Sequence, residues 1–74
     1  MQNLIPKSLT IEIEQEEDGR WIAEILEIPG VLAYGSTQQQ AISNVQALAL
    51  RVIADKLEHG EMNLGLTSLT FIAA

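Results

Sequence analysis

Residues 9 to 14, Leu-Thr-Ile-Glu-Ile-Glu, alternate strictly between apolar and polar side chains. Leu9, Ile11 and Ile13 share one side of an extended chain, and Thr10, Glu12 and Glu14 share the other. That pattern predicts a strand with one face buried. Residues 21 to 26, Trp-Ile-Ala-Glu-Ile-Leu, predict a second strand, with Trp21, Ala23 and Ile25 on one side and Ile22, Glu24 and Leu26 on the other. Asp18-Gly19 marks a hairpin between them. A two-residue loop would set Ile13 opposite Glu24, whereas a three-residue loop, Glu17-Asp18-Gly19, sets Ile13 opposite Ala23 and Ile11 opposite Ile25. Cross-strand partners share a face, so the longer loop unites the apolar sides. It also gives Gly19 the left-handed position of a type I turn plus bulge.

Pro29-Gly30 predicts a tight corner, and residues 31 to 34, Val-Leu-Ala-Tyr, a short third strand ending at Gly35. Val31 and Ala33 face the core; Leu32 and Tyr34 join Ile22 and Leu26 on the opposite face. Gly35 stands where a side chain would crowd the start of a helix. Thr37-x-x-Gln40 is a capping box: the Thr37 hydroxyl accepts from the Gln40 amide, and Gln40 reaches back to the Thr37 amide. The helix is predicted from Gln38 to about Glu58, with Ala41, Ile42, Val45, Leu48, Ala49, Val52 and Ile53 as one apolar stripe. Leu50 and Leu57 fall off the stripe's centre, as edge contacts or a second interface. Gly60 is the left-handed stop, and His59 suits the negative end of the helix dipole. Residues 60 to 65 read as a loop and 66 to 72 as a last strand. The predicted class is α+β, in the order β-β-β-α-β. A three-stranded antiparallel meander packs on one helix, with a closing C-terminal strand, in a single domain spanning 1–74.

Composition narrows the function classes. The 74 residues include ten acidic and four basic side chains, a net charge of −6, and no cysteine. A balance this acidic repels phosphate backbones, so no direct nucleic-acid partner is expected; a basic protein suits it better. Without cysteine there is no disulfide framework and no thiolate chemistry. No apolar run reaches the length of a membrane span or a signal-peptide core, and the expected location is cytoplasmic. A domain this small buries a thin core, and association with another chain is a common remedy.

Candidate chemistry is sparse. The Gly30-to-Thr37 segment sits before a helix amino-terminus, where anions can bind, but no lysine follows Gly35 as a phosphate loop requires. Turn and cap chemistry accounts for it. Glu12, Glu14 and Glu24 on one sheet face could gather metal ions, yet alternating glutamates on a strand are the ordinary pattern of a solvated face. His59 has no nucleophile set beside it in a motif. No catalytic residue, metal ligand or cofactor is assigned, and the chain is not expected to be an enzyme.

The stretch from the first strand to the end of the helix resembles the HicB-type antitoxin domain. The matching features are Gly19 and Trp21, the acid-flanked strand Ala23-Glu24-Ile25, Pro29-Gly30, Gly35-Ser36-Thr37 and Ala41. Their order and spacing, over about residues 8 to 60, carry the resemblance. Val31 stands where a cysteine is frequent, Ser36 replaces the usual Asp, and Gln39 and Gln40 replace the usual Glu pair. The resemblance implies a partial ribonuclease-H-like fold without nuclease activity. It also implies a HicA-type toxin partner, a small basic ribonuclease of double-stranded-RNA-binding-like fold. Many members carry a carboxy-terminal DNA-binding segment; this sequence shows no stretch for one, as expected of a stand-alone short form, a truncated antitoxin or an orphan.

A single helix covers one side of the sheet. The other side would expose Ile22, Leu26, Leu32 and Tyr34 beside Glu12, Glu14 and Glu24, and an apolar patch of that kind marks an interface. The acidic rim complements a basic partner. The expected partner-binding residues are Ile22, Glu24, Leu32 and Tyr34. The last strand, with Leu69 and Phe71, would offer an edge for a second copy, so a homodimer or higher homo-oligomer is also expected. The functional readings are therefore, in order, an antitoxin-like binding module and an orphan homo-oligomeric structural module, with an enzyme or metal protein using the acidic face as the disfavoured third.

Overall fold

The computed structural model describes residues 8–60 and 69–74 in full, and residues 3–4 and 62–63 as backbone. Its elements are β1 (Asn3–Leu4), β2 (Ser8–Gln15), β3 (Trp21–Ile25), β4 (Leu32–Gly35), α1 (Gln38–Glu58), β5 (Met62–Asn63) and β6 (Thr70–Ala73). One helix packs against a four-stranded mixed sheet of order β4-β3-β2-β6. The first three strands along the chain in that sheet form the antiparallel meander, and β6 closes it in parallel with β2. The predicted α+β class stands, and the predicted β-β-β-α-β order holds for the elements of this sheet and its helix; β1 and β5 form a separate two-stranded pair that the sequence reading does not contain.

The hairpin has the three-residue loop. Ile11 lies opposite Ile25 and Ile13 opposite Ala23. The Glu16 amide donates to the Arg20 carbonyl at 2.7 Å, and the Gly19 amide closes the turn on the Glu16 carbonyl at 3.0 Å. Gly19 takes φ +94°, the left-handed bulge position. At the next corner the Val31 amide donates to the Ile28 carbonyl around Pro29 and Gly30, and Gly30 has φ +86°. Proline second and a positive-φ glycine third define a type II turn. The strand boundaries move by one residue. β3 ends at Ile25, although the Leu26 amide still donates to the Thr10 carbonyl at 3.1 Å, and β4 runs from Leu32 to Gly35.

The core lies between the sheet and α1. Leu9, Ile11, Ala23, Ile25, Ile28 and Val31 are buried beneath Ala41, Val45, Ala49 and Ile53 of the helix. Ile13, Trp21, Ala33, Ile42, Leu48, Val52, Leu57, Leu69 and Phe71 pack around them, partly buried. The helix stripe is therefore as the spacing predicts. Leu57 joins the core's edge, whereas Leu50 faces solvent at 50 % exposure. Gly60, at φ +68°, takes the left-handed stop after the helix.

Three sequence expectations are corrected or bounded. The Thr37 hydroxyl accepts from the Gln40 amide at 3.0 Å, as expected. Gln40, however, reaches past Thr37: its Oε1 accepts from the Ser36 amide at 2.6 Å and the Ser36 hydroxyl at 2.9 Å. The extended φ of −129° at Thr37 continues the strand direction, so the Ser36 donors are the ones within reach. The segment expected to be a loop after Gly60 contains β5, whose Met62 and Asn63 pair in parallel with Asn3 and Leu4. The last strand was expected over 66–72; β6 occupies Thr70–Ala73, and positions 66–68 lie outside the described residues.

Thr37→Ala removes the cap acceptor for one amide of the first helical turn. It is expected to lower stability by about 1 kcal/mol, read as a shift in urea midpoint with an unchanged slope. A Thr37→Ser variant that fails to restore most of that loss would refute the capping assignment.

A second local tie closes the end of the β2–β3 pair. The Glu27 carboxylate accepts from the Thr10 amide and the Thr10 hydroxyl, both at 2.7 Å. The amide hydrogen bond, then the hydroxyl one, holds the Glu27 carboxyl below its ordinary range. A carboxyl depressed on folding contributes stability above its unfolded pKa and loses it as pH falls through the folded value. Glu27→Gln is therefore expected to cost about 0.5–1 kcal/mol at neutral pH, kept small by the exposure of the site. The difference from the parent should shrink toward zero in acid. A gap in melting temperature that persists below pH 3 would sink this account.

Candidate partner-binding face

The side of the sheet away from α1 carries the residues of opposite parity. Across β4, β3 and β2 they form two rows. Tyr34 lies opposite Ile22, and Ile22 opposite Glu14; Leu32 lies opposite Glu24, and Glu24 opposite Glu12. Strand alternation alone dictates this, because α1 takes the other parity into the core. Tyr34 is 42 % and Leu32 38 % exposed, with Leu26 and Ile72 exposed on the same side. Ile22 and Glu24, on the inner strand β3, are half-buried by their strand neighbours. All four residues expected from the sequence to bind a partner are thus brought together on one face.

Glu12, Glu14, Glu16 and Glu24 surround Ile22 in a shallow depression. Glu12 and Glu24 are direct cross-strand partners, an arrangement of like charges that opposes strand pairing. Among the described residues no group of three or more His, Cys, Asp or Glu is placed to hold a metal ion.

Tyr34 is held from two directions. The Asn44 side-chain amide, from the second turn of α1, donates to the Tyr34 carbonyl at 2.9 Å. The Arg20 guanidinium lies over the Tyr34 ring, 4.6 Å from its centroid. Arg20 is itself fixed by Asp18, whose carboxylate accepts from the Arg20 amide at 3.0 Å and from Nε at 2.7 Å. The backbone hydrogen bond from Arg20 leads the causes that hold the Asp18 carboxyl below its ordinary range. A cation over an aromatic face restricts the ring and gives it a charged border. The hairpin loop thus positions a residue of the third meander strand.

Arg20 and Asn44 are not among the residues singled out from the sequence, and Asp18 is read there only as a turn residue. For Arg20 the signal was present: it shares parity with Ile22, which sits opposite Tyr34, so it is Tyr34's diagonal neighbour. Asn44 carried no such signal, because its role depends on where the helix crosses β4.

Fold and face together define the class of the molecule: an α+β domain in which, among the described residues, one helix packs on one face of a four-stranded sheet and the other face is left open. No protein family, curated protein or solved structure matches the chain. No helix formed by the described residues is long and apolar enough to cross a membrane.

Proposed function

We propose that this chain is a HicB-like antitoxin module, a cytoplasmic protein without catalytic activity. It neutralises a small basic HicA-type ribonuclease by covering the toxin's active surface. The observation that carries the reading is the open sheet face, where Ile22, Leu32 and Tyr34 stand beside Glu12, Glu14 and Glu24. Apolar anchors within an acidic field suit a basic protein partner: the anchors supply buried area, and the carboxylates steer encounter. The ordered motifs from Gly19 to Ala41 support the same reading. The chain's net charge of −6 favours a protein over a nucleic acid as the direct partner.

The test is co-expression with the small basic reading frame nearest in the genome. Growth arrest by that frame alone, relieved by this chain, and a complex of fixed ratio on sizing are the expected results. Tyr34→Ala and Leu32→Ala together should abolish relief while leaving the protein folded. Full relief by the double variant would reject this face as the binding surface.

A second reading, an orphan homo-oligomeric structural module, draws on a different observation. Strand β6 lies at the edge of the sheet and exposes Ile72. Recovery of a homo-oligomer alone, with no toxic neighbour, would favour it.

A further inference from the structure

The two edges of the sheet are unequal. In β4 the outward Tyr34 carbonyl is occupied by Asn44, so a helix side chain stands across that edge at one position. In β6 the Ala74 amide donates inward to the Ile11 carbonyl at 2.9 Å, within a parallel register that pairs Thr10 with Ile72. Alternate residues of a strand point their backbone groups to opposite sides. Phe71 and Ala73 therefore direct their amides and carbonyls outward, and among the described residues none covers them. Proteins protect free edges with charges or proline; here residues 69 to 74 have no charged side chain and no proline. In a chain of net charge −6, this neutral segment is where a second, equally acidic copy meets least repulsion.

We infer that two copies of this chain join through β6, antiparallel, about a two-fold axis at Ile72. In that register Phe71 of each copy exchanges both backbone hydrogen bonds with Ala73 of the other, so the outward groups of both residues are satisfied. The two Ile72 side chains, each 45 % exposed in the single chain, become direct cross-strand neighbours. A two-fold axis normal to the sheet keeps like faces on the same side. The result is a continuous eight-stranded sheet with both helices behind it and both open faces in front. The β3 strands of the two faces then lie five strand spacings apart, about 24 Å. If the open face binds a toxin as proposed above, the dimer presents two such sites on one surface. Pairing of β6 with β4 of another copy would build an open chain of molecules, and Asn44 opposes it.

Sedimentation equilibrium of the full chain at micromolar concentration is expected to return twice the 8.1 kDa monomer mass. Ala73→Pro removes an outward amide and leaves the inward bonds of β6 intact. It should weaken the dimer at least about tenfold with an unchanged circular dichroism spectrum. Ile72→Lys places two ammonium groups together on the axis and should also give a monomer. Because the chain has no cysteine, Ile72→Cys is a clean probe. Cross-strand Cα atoms in such a pair approach to about 4.5 Å, within disulfide reach. Mild oxidation should link the Ile72→Cys dimer and leave Leu32→Cys, on the opposite edge strand, unlinked. A monomeric parent at 100-micromolar order, a dimer that Ala73→Pro leaves unchanged, or equal linking of the two cysteine variants would overturn the inference. None of these measurements involves a toxin, so a failed dimer and a failed antitoxin reading are told apart.

Discussion

Gly35→Ala is expected to destabilise the protein by about 3 kcal/mol, enough to unfold much of a domain whose total stability is of the order of 5 kcal/mol. The cause is contact and not conformation, since Gly35 does not have positive φ. A Cβ at this position would strike the Ala41 amide nitrogen and stand 2.9 Å from the Ala41 Cα and the Gln40 carbonyl carbon. All three are backbone atoms of the first helical turn, which the Thr37 and Gln40 caps hold in place. Relief requires moving α1 off β4, and with it the Asn44 tie to Tyr34 and the packing of Ala41 and Val45. Gly30 provides the internal control. A Cβ there meets open space but would be held at φ +86°, so Gly30→Ala should cost only about 1 kcal/mol. Urea unfolding of both variants checks the ranking. A Gly35→Ala protein as stable as Gly30→Ala would show that the helix start is free to shift.

The same contact explains why the opening of the helix reads so plainly in the sequence. Gly35-Ser36-Thr37 is a strand end, a close approach and a cap in three consecutive residues, each determined by its neighbours along the chain. The hairpin register was equally legible, because only the three-residue loop puts Ile11, Ile13, Ala23 and Ile25 on one side. What sequence pattern could not supply was anything decided by long-range placement. The parallel pairing of β6 with β2 depends on a crossover through α1, and no local motif encodes it. The two-residue pairing of β1 with β5 is too short to leave a periodic signal. Asn44 on the Tyr34 carbonyl and Glu27 on Thr10 are polar side chains whose partners are fixed by tertiary geometry. The composition of the open face was readable, since strand alternation delivers it whole. For its stiffening, only the diagonal placement of Arg20 beside Tyr34 was readable; the guanidinium over the ring and the Asp18 contact that fixes it emerged from the fold.

Glu24→Lys is expected to move stability and binding in opposite directions. In the free protein Glu24 stands directly across from Glu12, beside Leu32, with Glu14 and Glu16 bordering the same depression. Replacing it with a cation turns a repulsive cross-strand pair into an attractive one. This should raise stability by about 0.5 kcal/mol, an increment that shrinks in high salt. Against a basic partner the sign reverses, because a cation at the centre of the face opposes cations on the toxin. Like-charge juxtaposition of this kind is worth a few kcal/mol, and a loss of about 100-fold in affinity corresponds to about 2.7 kcal/mol. Urea titration of the free variant and calorimetric titration with the co-expressed partner measure the two halves separately. A structural role for Glu24 predicts the opposite first result, a less stable free protein. An ordinary solvated face predicts no change in binding. Only a face whose carboxylates serve recognition is expected to gain stability and lose affinity through one substitution, because the repulsion between Glu12 and Glu24 is then relieved by the partner's own positive charge.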